Sequence, residues 1–183
     1  MANIKQNRFL KIAKTREQIF SIDDLARIWG IKNRRTLAIT LSRYVKAGLM
    51  YRVYRGLYSL KKVDELDPIT LGFKAINDYA YLSCETILAK HGLIFQQINY
   101  ITFVSRKNKR FKISNNNYYC RQLKEEALFN DTGVIKRGQP FNEASLERAL
   151  ADILYFNPRY HIDNSSAVNK IELKRIKRNV YNK

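Results

Sequence analysis

The residues best equipped for chemistry are concentrated in one short segment. Residues 32–48 read KNRRTLAITLSRYVKAG and hold five cations, Lys32, Arg34, Arg35, Arg43 and Lys46, with no acid among them. Guanidinium and ammonium groups at this density suit phosphate oxygens, and a guanidinium fork also matches the paired acceptors of a guanine edge. At 100° per residue, Leu37, Leu41, Tyr44 and Val45 share one stripe, and Arg35, Ile39, Ser42, Arg43 and Lys46 fall on the opposite arc. One side calls for a core, the other for something more specific than water.

Groups that could break or make bonds are scarcer. Glu147 and Asp152 stand five apart, on opposite sides of a helix, and with Asp78 and Glu85 they show no metal-binding spacing. His91 falls in the last turn of a helix, where an imidazolium suits the dipole, and His161 has no evident partner. Ser83 precedes Cys84 without an elbow motif around them. Cys84 and Cys120 are far apart with no CxxC, which reads as two buried thiols, not a disulfide framework or a zinc site. No phosphate-binding loop, dinucleotide fingerprint or HExxH occurs. The expectation is a binding protein and not an enzyme, with no cofactor and no metal.

Charge names the class of partner. The chain has 183 residues, with 34 Lys and Arg against 16 Asp and Glu, a net +18. Residues 1–60 carry +10 of it. Such an imbalance favours a polyanion, and nucleic acid is the obvious one. No apolar run is long enough to span a bilayer and the N-terminus lacks a signal-peptide core, so a cytoplasmic protein without a membrane partner is expected.

The elements that must position these groups can be read along the chain. Residues 4–14 suit a basic helix, and Ile19, Phe20 and Ser21 a short extended piece. Ser21 with Asp24 resembles a capping box for a helix through Leu25, Ala26 and Ile28 that Gly30 stops. Asn33 is the natural N-cap of the basic helix, and MYRVYRGLYSL alternates like two strands joined near Arg55 and Gly56. Helix, short turn, helix and hairpin is the order of a winged helix-turn-helix. That geometry sends Lys32, Arg34, Arg35, Thr36, Ile39 and Arg43 to the major groove, and Arg52 and Arg55 to the adjacent backbone or minor groove. A merely solvated helix face, or a protein-docking helix-turn-helix, fits the same pattern.

After KKVDELDP the pattern changes, and the expected fold is α+β: a winged helix-turn-helix at residues 1–62, a small α+β domain at 67–160, and a basic helix or tail at 161–183. Within the second domain, helices are expected over LGFKAIN, over YLSCETILAKHGLI with Ser83 as cap, and over FNEASLERALADILYF with Asn142 as cap. INYITFVS, RFKIS, residues 118–123 and GVIKRGQPF read as extended. RKNKRFK makes a second basic patch of Arg106, Lys107, Lys109 and Arg110, either a phosphate-touching hairpin tip or an ordinary solvated turn. The tail fits a helix with Ile171, Leu173 and Ile176 inward, or an arm that orders on binding.

Taken in order, SIDDLARIWG, TLAITLSRYVKAGLMYRVYRGLY, AYLSCETILAKHGLI, ITFVSRKNKRF and ASLERALADILY resemble the AbiEi-type antitoxins of bacterial abortive-infection (type IV toxin-antitoxin) systems, over residues 15–156. The resemblance rests on Arg55, Gly56 and Tyr58 of the hairpin, Ser83 and Glu85, the Gly92-Leu93-Ile94 run, residues 106–111, and Glu147, Ala149 and Asp152. It implies a transcriptional autorepressor in a phage-defence operon. The head would bind inverted repeats in its own promoter, where two copies could pair as a dimer on the DNA. The second domain would counter a nucleotidyltransferase-like toxin without a stable complex. The competing reading is a nuclease or nucleotide-modifying enzyme that a winged helix delivers to its substrate.

Overall fold

The computed structural model describes residues 2–136 and 141–182, with side chains from residue 7 onward. It is a mixed α+β chain whose described residues form eight α-helices and two sheets. They divide into two compact units, residues 1–77 and 78–183. The expected junction at Pro68 lies short of that division because α4 (Pro68–Ile76) packs against β1 of the first unit. Asp67 caps α4 by accepting from Thr70 N, and Pro68 takes the first turn, where its missing N–H costs nothing.

The first unit runs α1 (Ala2–Ala13), β1 (Ile19–Ser21), α2 (Ile22–Trp29), α3 (Arg34–Lys46), β2 (Tyr51–Tyr54), β3 (Leu57–Ser59) and α4. The capping box forms: Asp24 N donates to Ser21 Oγ at 3.1 Å, and Ser21 N donates back to Asp24 Oδ2 at 3.0 Å. Gly30 closes α2 in the left-handed conformation, and Asn33 Oδ1 accepts from Thr36 N at 3.0 Å to open α3. The antiparallel sheet has the order β1-β3-β2, with a register shift between Arg52 and Tyr54. Gly56 supplies the positive φ of the β2–β3 turn. Leu37, Leu41 and Tyr44 of α3 meet Phe20, Leu25, Trp29 and Met50 in one core.

The second unit is built on a six-stranded mixed sheet of order β6-β7-β5-β4-β9-β8. Its strands are β4 (Ala80–Leu82), β5 (Ile101–Ser105), β6 (Lys109–Ile113), β7 (Asn116–Gln122), β8 (Val134–Ile135) and β9 (Asn142–Ala144). The pairs β4·β9 and β5·β7 are parallel, the others antiparallel. Helices α5 (Glu85–Lys90), α6 (Glu125–Leu128), α7 (Leu146–Phe156) and α8 (Lys170–Tyr181) complete it. Of the extended segment expected over GVIKRGQPF, residues 137–140 lie outside the described residues.

Three local expectations are corrected. Ser83 caps no helix; Cys84 occupies that position with φ 54°, and the Ser83 hydroxyl donates to Asp152 instead. Asn142 opens β9, while Ser145 is the cap of α7 and accepts from Arg148 N at 3.1 Å. The basic tail is the helix α8, packed on α7, and Ile176 and Val180 are its buried residues; Ile171, expected inward, is 83% exposed. His91 does close α5 as its C-cap.

Candidate nucleic-acid interface

The sequence loads α3 unequally, and the fold keeps the load on the outside. Leu37 and Leu41 are fully buried and Tyr44 nearly so, and Tyr44 packs against Trp29 of α2 with tilted rings whose centroids are 5.2 Å apart. These three buried residues together set the rotation of α3 about its axis. Arg34, Arg35, Thr36, Ser42, Arg43 and Lys46 are consequently exposed, and Ile39 presents 46% of its surface to solvent between them. Lys32, just ahead of the cap, is exposed too.

Ion pairing divides these cations. Arg34 donates to Asp23 Oδ1 of α2 at 2.6 Å, so its charge is partly spent within the unit. Among the described residues, Lys32, Arg35 and Arg43 make no ion pair, and neither do Arg52 and Arg55, both exposed on the hairpin. The first turn of α3 holds no acid, so its positive dipole end reinforces Arg34 and Arg35. Arg52 pairs across the sheet with the buried Tyr58, which leaves its side chain on an anchored strand.

Asp24 holds the neighbouring helix. Burial pushes its pKa up, but the hydroxyl and amide of Ser21 and the Arg27 guanidinium hold it below the ordinary carboxylate value.

The second basic group disperses. Arg106 Nε lies 3.7 Å from both Asp78 Oδ1 and Glu125 Oε1, with its guanidinium 5.1 Å from the Phe129 ring centroid. Lys107 is exposed in a turn that the Ser105 hydroxyl braces. Lys109 sits over Phe111 at 4.7 Å and Arg110 over Tyr119 at 4.3 Å, and strand alternation sends the two to opposite faces of β6.

What sequence reasoning missed is a buried ionic network. Arg148 and Asp152 are each fully buried. Arg148 Nε donates to Asp152 Oδ1 at 2.8 Å, and its other four N–H groups reach the carbonyls of Asn130, Thr132 and Ala127 and the Tyr81 hydroxyl, each at 2.8 Å. Asp152 also accepts from Ser83 Oγ at 2.6 Å and from the Tyr181 hydroxyl. Burial opposes the Arg148 charge, yet Asp152 and the two tyrosines raise its pKa above the usual guanidinium value. Burial first, and then Asp152, drive the pKa of the fully buried Cys84 thiol well above its ordinary value. Gly133 makes room: at φ +76° an added Cβ would stand 2.8 Å from Arg148 Cβ.

The other acids considered for metal chemistry are engaged as well. Glu85, nearly buried, pairs with Arg121 and accepts from Thr102 Oγ1 at 3.2 Å, and Glu147 accepts from Asn169 N at 3.2 Å. The four-residue spacing of Arg148 and Asp152 was the available signal. Among the described residues no group of three or more His, Cys, Asp or Glu could hold a metal ion, and no helix is long and apolar enough to cross a membrane. No family model matches the chain, and no curated protein matches it.

Proposed function

We propose that this chain is a sequence-specific DNA-binding regulator of the winged helix-turn-helix kind, an autorepressor working in the cytoplasm as the antitoxin of an AbiEi-type operon. The observation that carries the DNA-binding reading is the outward side of α3. Lys32, Arg35 and Arg43 are exposed without ion pairs around Thr36 and Ile39, while the opposite stripe of the same helix is locked into the core. A major groove about 12 Å wide admits a helix so presented. Arg35 and Arg43 are then within the repertoire for guanine edges, Ile39 for a thymine methyl, and Arg52 and Arg55 for phosphate. What supports the antitoxin half of the reading is the order of the phrases that resemble that family.

The deciding experiment compares binding of the chain to a duplex carrying the inverted repeats of its own promoter with binding to a shuffled duplex, across a salt series. The regulator binds the first at least about a thousandfold more tightly, with log affinity falling steeply against log salt. Equal affinity for both duplexes rejects sequence-specific regulation. For the antitoxin role, co-expression with the neighbouring nucleotidyltransferase-like toxin should restore growth with no toxin co-purifying; unrelieved toxicity rejects it.

A further inference from the structure

The regulator reading leaves one built surface of the second unit unused, on the face of the sheet opposite Lys109. There β6 and β7 align Arg110 with Tyr119 and Lys112 with Asn117, and the pleat puts all four side chains on one side. The Arg110 guanidinium lies 4.3 Å from the Tyr119 ring centroid, and Tyr100 meets the same ring edge-on at 6.1 Å. With Asn99 these residues line a groove of about 370 Å³.

The cations around the Tyr119 ring and the groove beside it are of two kinds. Arg121, 4.8 Å from the Tyr119 ring, is already committed to Glu85. Arg110 and Lys112 are exposed and, among the described residues, belong to no ion pair. Aromatic rings flanked by uncompensated cations suit a polyanion that can offer the flat faces of its bases. A duplex hides those faces in its own stack, whereas a single strand exposes them. We propose that the groove around Tyr100 and Tyr119 binds single-stranded nucleic acid. Arg110 and Lys112 take the phosphates, and Tyr100 with the stacked pair of Arg110 and Tyr119 takes unpaired bases. This proposal uses residues of the second unit alone and does not depend on the reading of α3.

The test is fluorescence anisotropy of the full chain with a labelled single-stranded oligouridylate of about ten nucleotides, a length within the usual single-strand site size. Changing Arg110→Glu and Lys112→Glu together should weaken binding at least about tenfold and flatten the log affinity against log salt slope by about 1.4, at 0.7 per lost phosphate contact. Both side chains are exposed, so the fold tolerates the change. Because any basic chain loses affinity when its charge is reversed, Lys124→Glu with Lys170→Glu makes the matched control and should leave binding within about twofold. Tyr100→Leu should weaken binding and Tyr100→Phe should retain it, since the ring, not the hydroxyl, is the stacking group. Equal losses in the groove variant and the control overturn the proposal, as does competition by uridine monophosphate as effective as that by the oligomer. Duplex binding is read separately: a failure there removes the regulator reading and leaves this one intact.

Discussion

Arg35 and Arg43 of the first unit and Arg148 of the second meet opposite fates. Arg35 and Arg43 stand on the outside of α3 with no carboxylate to answer them, whereas Arg148 is fully buried with all five of its N–H groups bonded inside the protein. A guanidinium whose donors are all used internally has nothing left for a ligand. An exposed one without an acid partner adds self-repulsion to the folded state, which a polyanion would relieve. Satisfaction of donors, more than the number of charges, therefore separates the chain's structural cations from those available for binding.

The largest expected effect lies in the buried set. Arg148→Met leaves Asp152 charged in a dry site and strips hydrogen bonds from the carbonyls of Ala127, Asn130 and Thr132. The cost should be about 3–5 kcal/mol of stability, read from urea unfolding by far-UV circular dichroism. Adding Asp152→Leu should recover part of it, because the stranded charge is gone while the carbonyls stay bare. A loss of less than about 1 kcal/mol in the single variant would mean that the buried network contributes no more than an exposed ion pair.

The exposed set should show the reverse signature. Arg35→Ala and Arg43→Ala should each cost about 1–3 kcal/mol of operator affinity and relax discrimination at one base pair, yet change unfolding stability by less than about 0.5 kcal/mol. Arg52→Ala should weaken operator and shuffled duplex alike and reduce the salt slope by about 0.9. Arg34→Ala sharpens the distinction, since its bond to Asp23 already occupies it: its effect on affinity should be smaller than that of Arg35→Ala.

How much of this was legible in the sequence follows from the range of the forces involved. Ser21 with Asp24, Gly30, Asn33 and the turn at Arg55 and Gly56 act within a few residues of themselves, and each does in the structure what its type suggests. The same local logic misplaced Ser83 and Asn142, because cap-forming side chains also end strands, and the pairing of β4 with β9 joins residues remote in sequence. Burial of Arg148 and Asp152 was hidden for a related reason: their spacing marks an ion pair on any helix, and only the packing of α5 and α8 on α7 turns that helix face inward. In α8, Ile176 and Val180 keep the phase of the buried stripe while Ile171 falls off it, a distinction a list of apolar residues does not make. The groove at Tyr119 was equally invisible, since it needs β6 and β7 in register with Tyr100 beside them.

The smallest expected effect concerns the helix against which α3 leans. Asp24 accepts from both the amide and the hydroxyl of Ser21 and pairs with Arg27, and its pKa in the folded state lies below 3.8. A carboxyl depressed on folding stabilises in full above its unfolded value and stops doing so as the pH falls through its folded value. Asp24→Asn keeps an acceptor oxygen and loses only the charge at the helix N-terminus, so it should cost about 0.5 kcal/mol at neutral pH, and the gap between variant and parent should close as the pH drops below the ordinary carboxylate value. Trp29, the single tryptophan of the chain, ends the same helix and packs on Tyr44, so its fluorescence reports this unit's unfolding directly. A gap that persists unchanged into acid would assign the cap's contribution to the shape of the side chain and not to its charge.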